Sequence, residues 1–230
     1  MRHRLPRILS LVVVFAALLA MYRCAWHPWF VTWGATQAEV QAALPGDELV
    51  TTVGTNTTRA ITINVPATAV WPWLAQLGQD RGGFYSYEVL EDLVGTHMTN
   101  ADRILPDRQQ WHAGDKLWMY PPDKLGGVGG APLRVLEEGR ALVFATRHLS
   151  TPQSSPENGT WAFVLQPLTE HSTRLIVRGR GTLLRSSGWR TFDTFVFDPI
   201  HFVMERKMMV GIAQRAEGGR VPSDAVDAIV

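Results

Sequence analysis

The sequence has very little cysteine and no excess of charge of either sign. Its single cysteine excludes a disulfide framework and any zinc site built on several cysteines. The 22 Lys and Arg residues nearly balance the 21 Asp and Glu residues, which leaves a formal net charge of +1. Because a protein that binds a phosphate backbone needs surplus positive charge, we expect no nucleic-acid partner.

Several familiar motifs are also missing. The chain has no GxGxxG, no phosphate-binding GxxxxGK[ST], no Gly-x-Ser-x-Gly and no His-Glu-x-x-His. We therefore expect no cofactor and no metal site. What is present is a globular composition, with 46% hydrophobic and 19% charged residues, which excludes wholesale disorder.

The first segment predicts a membrane anchor. Residues 8–22 carry no charge and follow Arg2, Arg4 and Arg7. As a helix this run spans roughly 22 Å, which is short for a hydrocarbon core of about 30 Å but suits a short transmembrane helix. Aromatic side chains typical of a membrane–water boundary follow, at Trp26, Trp29, Phe30 and Trp33.

Two alternatives to an anchor remain open, a cleaved signal peptide and a buried helix of a soluble domain. Residues 20–24 do not offer the alternating small residues of a signal-peptidase site, so the uncleaved helix is favoured. Since arginine-rich ends stay in the cytoplasm, we expect a single-pass protein with a cytoplasmic N-terminus and an extracytoplasmic domain.

The rest of the chain alternates between strand-like and helix-like patterns. A strand is predicted at 58–65, a helix from Thr68 to Gly78, a short helix at 87–93 and a long helix from 199 to 217. Five further strands are predicted at 116–120, 133–137, 141–147, 160–167 and 173–183. This order indicates an α+β fold with an antiparallel sheet. We divide the chain into an anchor (1–25), a lead-in (26–56), a folded domain (57–217) and a flexible tail (218–230).

The element order and four segments resemble the START-like or SRPBCC superfamily, also called polyketide cyclase/dehydrase-like. The segments are LPGDELV from Leu44, VWPWLAQLGQDRGGFYSY from Val70, NADRI from Asn100 and HFVMERKMM from His201. The resemblance covers roughly residues 57–217 and implies a helix-grip fold, in which a curved antiparallel sheet wraps around the long C-terminal helix. It also implies a deep apolar cavity between the two, and no catalytic motif matches position by position.

Two polar residues interrupt the apolar face of the C-terminal helix. His201 and Glu205 are spaced i, i+4, so their side chains can touch. They are candidates for proton transfer or for fixing the polar end of a ligand. They can also form a structural pair, or Glu205 can bind an arginine of the sheet. Two ligands are too few for a metal ion.

Two other groups of polar residues have similar alternatives. Residues 79–87 combine two glycines with aromatic residues, which indicates either a cavity mouth or a helix-ending turn with packed rings. On the last strand, Arg174, Arg178 and Arg180 share one face. We expect them to face water, unless one reaches an anionic ligand group or Glu205.

The sequence therefore predicts a membrane-anchored domain that binds a hydrophobic small molecule or lipid between the sheet and the C-terminal helix. The predicted ligand-binding residues are Arg81, Tyr85, Tyr87, Asn100, Phe202, Met208, Met209 and Ile212. The alternative is a cyclase- or hydrolase-type enzyme that uses His201 and Glu205 for proton transfer. A third possibility is a scaffold whose interior is filled by its own side chains.

Overall fold

The computed structural model describes residues 4–93, 95–123, 129–148, 157–183 and 186–218. The predicted tail lies outside these residues, except for its first position. The helices are α1 (Arg4–Met21), α2 (His27–Val31), α3 (Gln37–Gln41), α4 (Ala67–Ala75), α5 (Glu88–Leu93), α6 (Ser187–Phe192) and α7 (Asp198–Ala216). The strands are β1 (Thr55–Ile63), β2 (Lys116–Trp118), β3 (Gly130–Glu137), β4 (Ala141–Thr146), β5 (Gly159–Thr169) and β6 (Ser172–Gly181). Tyr22–Trp26 and Asp193–Phe197 form π-helical turns that join the neighbouring helices.

The six strands form one sheet in the order β1-β6-β5-β4-β3-β2, and every neighbouring pair is antiparallel. The chain thus follows a meander from β2 to β6, and β1 closes the far edge. Tight turns between β3 and β4 (138–140) and between β5 and β6 (170–171) favour antiparallel neighbours. The predicted α+β class, the antiparallel sheet and the long C-terminal helix are confirmed.

One face of the sheet packs against α4 and α7. A single hydrophobic cluster joins Leu74 of α4, Phe163 of β5, Val177 of β6 and Ile212 of α7, all of them fully buried. The apolar stripe of α7 is therefore held against the sheet, as helical periodicity predicts.

The outer face of the sheet is covered by the lead-in. The guanidinium group of Arg178 is buried, forms an ion pair with Asp47 at 2.7 Å, and donates to the backbone oxygens of Glu39, Val40 and Ala42. The expectation that this side chain faces water is wrong. The last carbonyls of a helix lack partners within it, and α3 offers them to the arginine.

The residues directly after the N-terminal helix contact the folded domain. The ring centroids of Tyr22 and Phe195 lie 4.9 Å apart, and His27 Nε2 is hydrogen-bonded to Asp198 Oδ2 at 2.9 Å. One stretch, Ser10–Val31, is long and apolar enough to cross a membrane by length and composition.

Candidate functional site

A cavity of about 230 Å³ opens between α5, β5 and the first half of α7. Its walls are mainly apolar, with Phe84, Leu90, Met98, Met119, Trp161, Ile200, Met204 and Met208. Its polar lining consists of Ser86, Glu91, Thr96, Tyr120, His201 and Glu205. Since an apolar cavity of about 150 Å³ already holds benzene, this one has room for a small organic molecule.

Glu205 lines the cavity but its carboxylate is occupied by the protein. One oxygen forms a buried ion pair with Arg59 of β1, and the other accepts a hydrogen bond from Trp161 Nε1 at 2.7 Å. Burial alone raises the pKa of Glu205, but the charge of Arg59 and these hydrogen bonds hold it below its usual value. The sequence leaves several partners open for Glu205, and the structure shows that its partner is an arginine of the sheet, Arg59.

His201 lies beside this pair as a neutral ring. Its Nδ1 is 3.4 Å from Nη1 of Arg59, and because a guanidinium can only donate, the ring proton belongs on Nε2. Burial lowers the pKa of His201, an effect that the charge of Glu205 opposes. The ring also stacks on Phe197, with centroids 5.5 Å apart.

Two hydroxyls at the cavity are used within the protein. Ser86 Oγ donates to the carbonyl of Met204 at 2.9 Å, and Thr96 Oγ1 donates to the carbonyl of Glu91 at 2.9 Å. These bonds hold the loops on either side of the cavity in place.

No pattern in the sequence points to Glu91 as a cavity residue. This residue of α5 is 5% exposed, whereas the apolar Val89 and Leu93 on the same helix are 73% and 77% exposed. The usual arrangement of polar and apolar side chains is inverted here. A helix of six residues is too short for periodicity to reveal that inversion, and acidic neighbours make Glu91 resemble a solvated residue.

The predicted ligand-binding residues of α7 fall in three places. Met208 lines the cavity. Met209 and Ile212 lie in the packed core, while Phe202 stacks on Phe30 with centroids 4.9 Å apart. A ligand contact stays a prediction for each of them.

The predicted ligand-binding residues before α7 do not line the apolar cavity. The guanidinium of Arg81 lies 3.7 Å from the ring of Trp111. Tyr85 donates to the carbonyl of Trp73 at 3.1 Å, and its backbone N–H donates to Asn100 Oδ1. Tyr85, Asn100 and Tyr87 border a second, more polar cleft of about 340 Å³ next to Lys207 and Arg215.

Within the described residues, no group of three or more His, Cys, Asp or Glu side chains is placed to hold a metal ion. His201 and Glu205 therefore stand next to an arginine and a tryptophan rather than next to a third ligand.

The comparisons with known proteins concern the fold. No protein-family model and no curated protein matches the chain. Among solved structures, a polyketide-cyclase-like protein from Corynebacterium glutamicum is 15% identical, with 69% of this chain and 89% of that chain covered and a TM-score of 0.32. The Aha1 dimer from Colwellia psychrerythraea is 13% identical, with 73% and 99% covered and a TM-score of 0.40. A protein from Mesorhizobium loti is 11% identical, with 73% and 100% covered and a TM-score of 0.41. Each of these matches is a likeness of fold alone.

Proposed function

We propose that the chain is a membrane-anchored binding domain that holds a hydrophobic small molecule or lipid in the cavity between β5, α5 and α7. The observation that carries the proposal is a cavity of about 230 Å³ with mainly apolar walls, bordered by residues of the hydrophobic core such as Phe84, Met98 and Met208. Burial of a ligand against these walls contributes roughly 25 cal/mol per Å² of apolar surface. A few polar groups then fix its orientation.

Binding is better supported than proton transfer. Both oxygens of Glu205 are occupied by Arg59 and Trp161, so this carboxylate is held as a structural ion. Drawing a proton onto it would leave Arg59 buried without its counter-charge, which is costly.

Exposed apolar side chains support a location at a bilayer. Leu11, Val12, Val13, Val14, Phe15 and Leu18 of α1 are all exposed. A second exposed group follows at α6 and the start of α7, with Trp189, Phe192, Phe195, Val196, Ile200 and Val203. The contact between Tyr22 and Phe195 joins the two groups. Apolar patches of this kind are unfavourable in water and are typical of membrane surfaces. Under the positive-inside rule, the domain then lies outside the cytoplasm.

The binding proposal is tested by native mass spectrometry of the full-length chain extracted in detergent. We expect a co-purified small molecule on the wild type and its loss from Met119→Trp, which fills the cavity. Leu168→Trp, at an exposed position of β5, is the matched control and is expected to keep the molecule. Equal retention by both variants, or no bound molecule in any of them, contradicts the proposal.

The anchor is tested with a shortened chain that begins at Tyr22. This chain keeps the contacts of Tyr22 and His27 with the domain, which a deletion of residues 1–33 would remove. We expect the full chain in the membrane fraction and the shortened chain in the soluble fraction. A shortened chain that sediments with membranes as completely as the full chain contradicts the anchor.

A further inference from the structure

The cavity wall contains a buried carboxyl group with one oxygen that is unpaired within the described part of the chain. Glu91 is 5% exposed and lines the cavity, and its Oε2 has no hydrogen-bond partner among the residues that the structure describes. Buried polar groups are normally paired, so an unpaired one at the wall of a cavity points to a partner that arrives with a ligand.

The charges around Glu91 favour its protonated form. On its own helix the neighbouring acidic residues are Glu88 and Asp92, and across the cavity lie His201 and Glu205. The positively charged Arg59 next to these two residues is already paired with Glu205. Burial, followed by the charges of Glu88 and Asp92, raises the pKa of Glu91 to about 7. The side chain is therefore a carboxylic acid in mildly acidic solution.

We propose that Glu91 is the polar anchor of the ligand, and that its O–H donates a hydrogen bond to an acceptor such as the carbonyl oxygen of an uncharged, mainly apolar molecule. This inference rests on the proposed function and names the class of ligand. An anionic ligand would meet two carboxyl groups, Glu91 and Glu205, in one apolar space. A cationic ligand would lose its hydration for a neutral partner.

Three probes of the same shape separate these classes. Benzophenone carries a carbonyl acceptor, diphenylmethane carries no polar group, and benzhydrylamine carries an ammonium group. Their dissociation constants are measured by quenching of tryptophan fluorescence on the full-length chain in detergent, at about pH 5.5 and about pH 8.5, on either side of the Glu91 titration. The variants are Glu91→Gln, which always donates, Glu91→Leu, and Glu138→Gln as a matched control in the exposed turn before β4.

We expect wild type and Glu138→Gln to prefer benzophenone over diphenylmethane by about tenfold at the lower pH, the value of one hydrogen bond. That preference is lost at the higher pH, because the ionised carboxyl has no proton to donate. Glu91→Gln is expected to keep the preference at both pH values, and Glu91→Leu to abolish it at both while still binding diphenylmethane.

Each opposite result has a distinct meaning. Equal affinity of wild type for benzophenone and diphenylmethane at the lower pH overturns the inference and leaves the proposed function standing. Benzhydrylamine as the tightest probe at both pH values also overturns it, because the ligand class is then cationic. Failure of all three probes to bind overturns the proposed function together with the inference.

Discussion

Two buried carboxyl groups line the same cavity from different helices and meet different surroundings. Glu205 of α7 has an arginine on one oxygen and an indole N–H on the other. Glu91 of α5 has an oxygen with no partner among the described residues, and two acidic neighbours. The pKa of the first is held below its usual value, and the pKa of the second is raised to about 7.

This difference separates a polar group that holds elements of the fold together from one that, in the proposal above, contacts the ligand. The Arg59–Glu205 pair ties β1 to α7 and, through the Arg59 Nε bond to the carbonyl of Phe30 at 2.7 Å, also ties the lead-in to the same place. The carboxyl group of Glu91 makes no such tie among the described residues, since its Oε2 has no partner there. A buried polar group without a partner lowers the stability of the fold. A ligand that pairs with such a group therefore gains binding free energy there.

The largest expected effect on stability comes from removing Arg59, the partner of Glu205. Arg59→Met leaves Glu205 charged and buried, and should lower the free energy of unfolding by about 3–5 kcal/mol. Chemical denaturation of the full-length chain measures this. The double variant Arg59→Met/Glu205→Leu should lose less than the sum of the two single changes, and strict additivity would contradict the account.

A second ion pair, between Arg178 and Asp47 on the outer face of the sheet, tests whether exposure of one partner reduces the effect on stability. Arg178 is buried but its partner Asp47 is partly exposed, so Arg178→Met should cost less, about 2–3 kcal/mol from the lost charged hydrogen bonds. The denaturation midpoint measures it. A loss as large as that of Arg59→Met would show that exposure of the partner does not reduce the effect.

Substitution of Glu91, the carboxyl group with an unpaired oxygen, should raise stability instead of lowering it. Glu91→Leu removes a buried polar group and should raise the melting temperature at pH 8 by about 2–4 °C. In wild type, stability should fall as the pH rises from 4.5 to about 7, because the folded state holds the Glu91 proton longer than the unfolded chain does. This slope should be smaller in Glu91→Leu. An unchanged slope in melting experiments would contradict the assignment.

The smallest effect is expected where the N-terminal helical segment meets the folded domain. His27 and Asp198 are both about one-fifth exposed, so His27→Ala should cost about 0.5–1 kcal/mol. Thermal unfolding measures the change. A loss above that of Arg178→Met would mean that the anchor helix is a larger part of the folded domain than its contacts indicate.

Local patterns were sufficient to predict most of the fold. Alternating residues placed every strand within a few positions, and the apolar stripe that includes Met208 and Ile212 placed α7 against the sheet. The i, i+4 spacing of His201 and Glu205 also identified two residues that line the cavity.

Long-range pairing was beyond these patterns. Arg59 and Glu205 are far apart in sequence, as are Asp47 and Arg178, and nothing local identifies the partner of either arginine. Arg81 and Tyr85 lie in a segment rich in polar and aromatic residues, and for that reason they are predicted to bind the ligand. In the structure their side chains satisfy backbone carbonyls of the same region instead of facing the cavity.

The most direct test of the central claim is to map where a small apolar molecule sits. Benzophenone inserts into nearby C–H bonds under light, and peptide mass spectrometry identifies the attachment sites on the full-length chain. The account predicts adducts at Met119, Met204 and Met208, with their loss in Met119→Trp. Adducts confined to the exposed side chains of α1 and α6, with none at the three methionines, would contradict it.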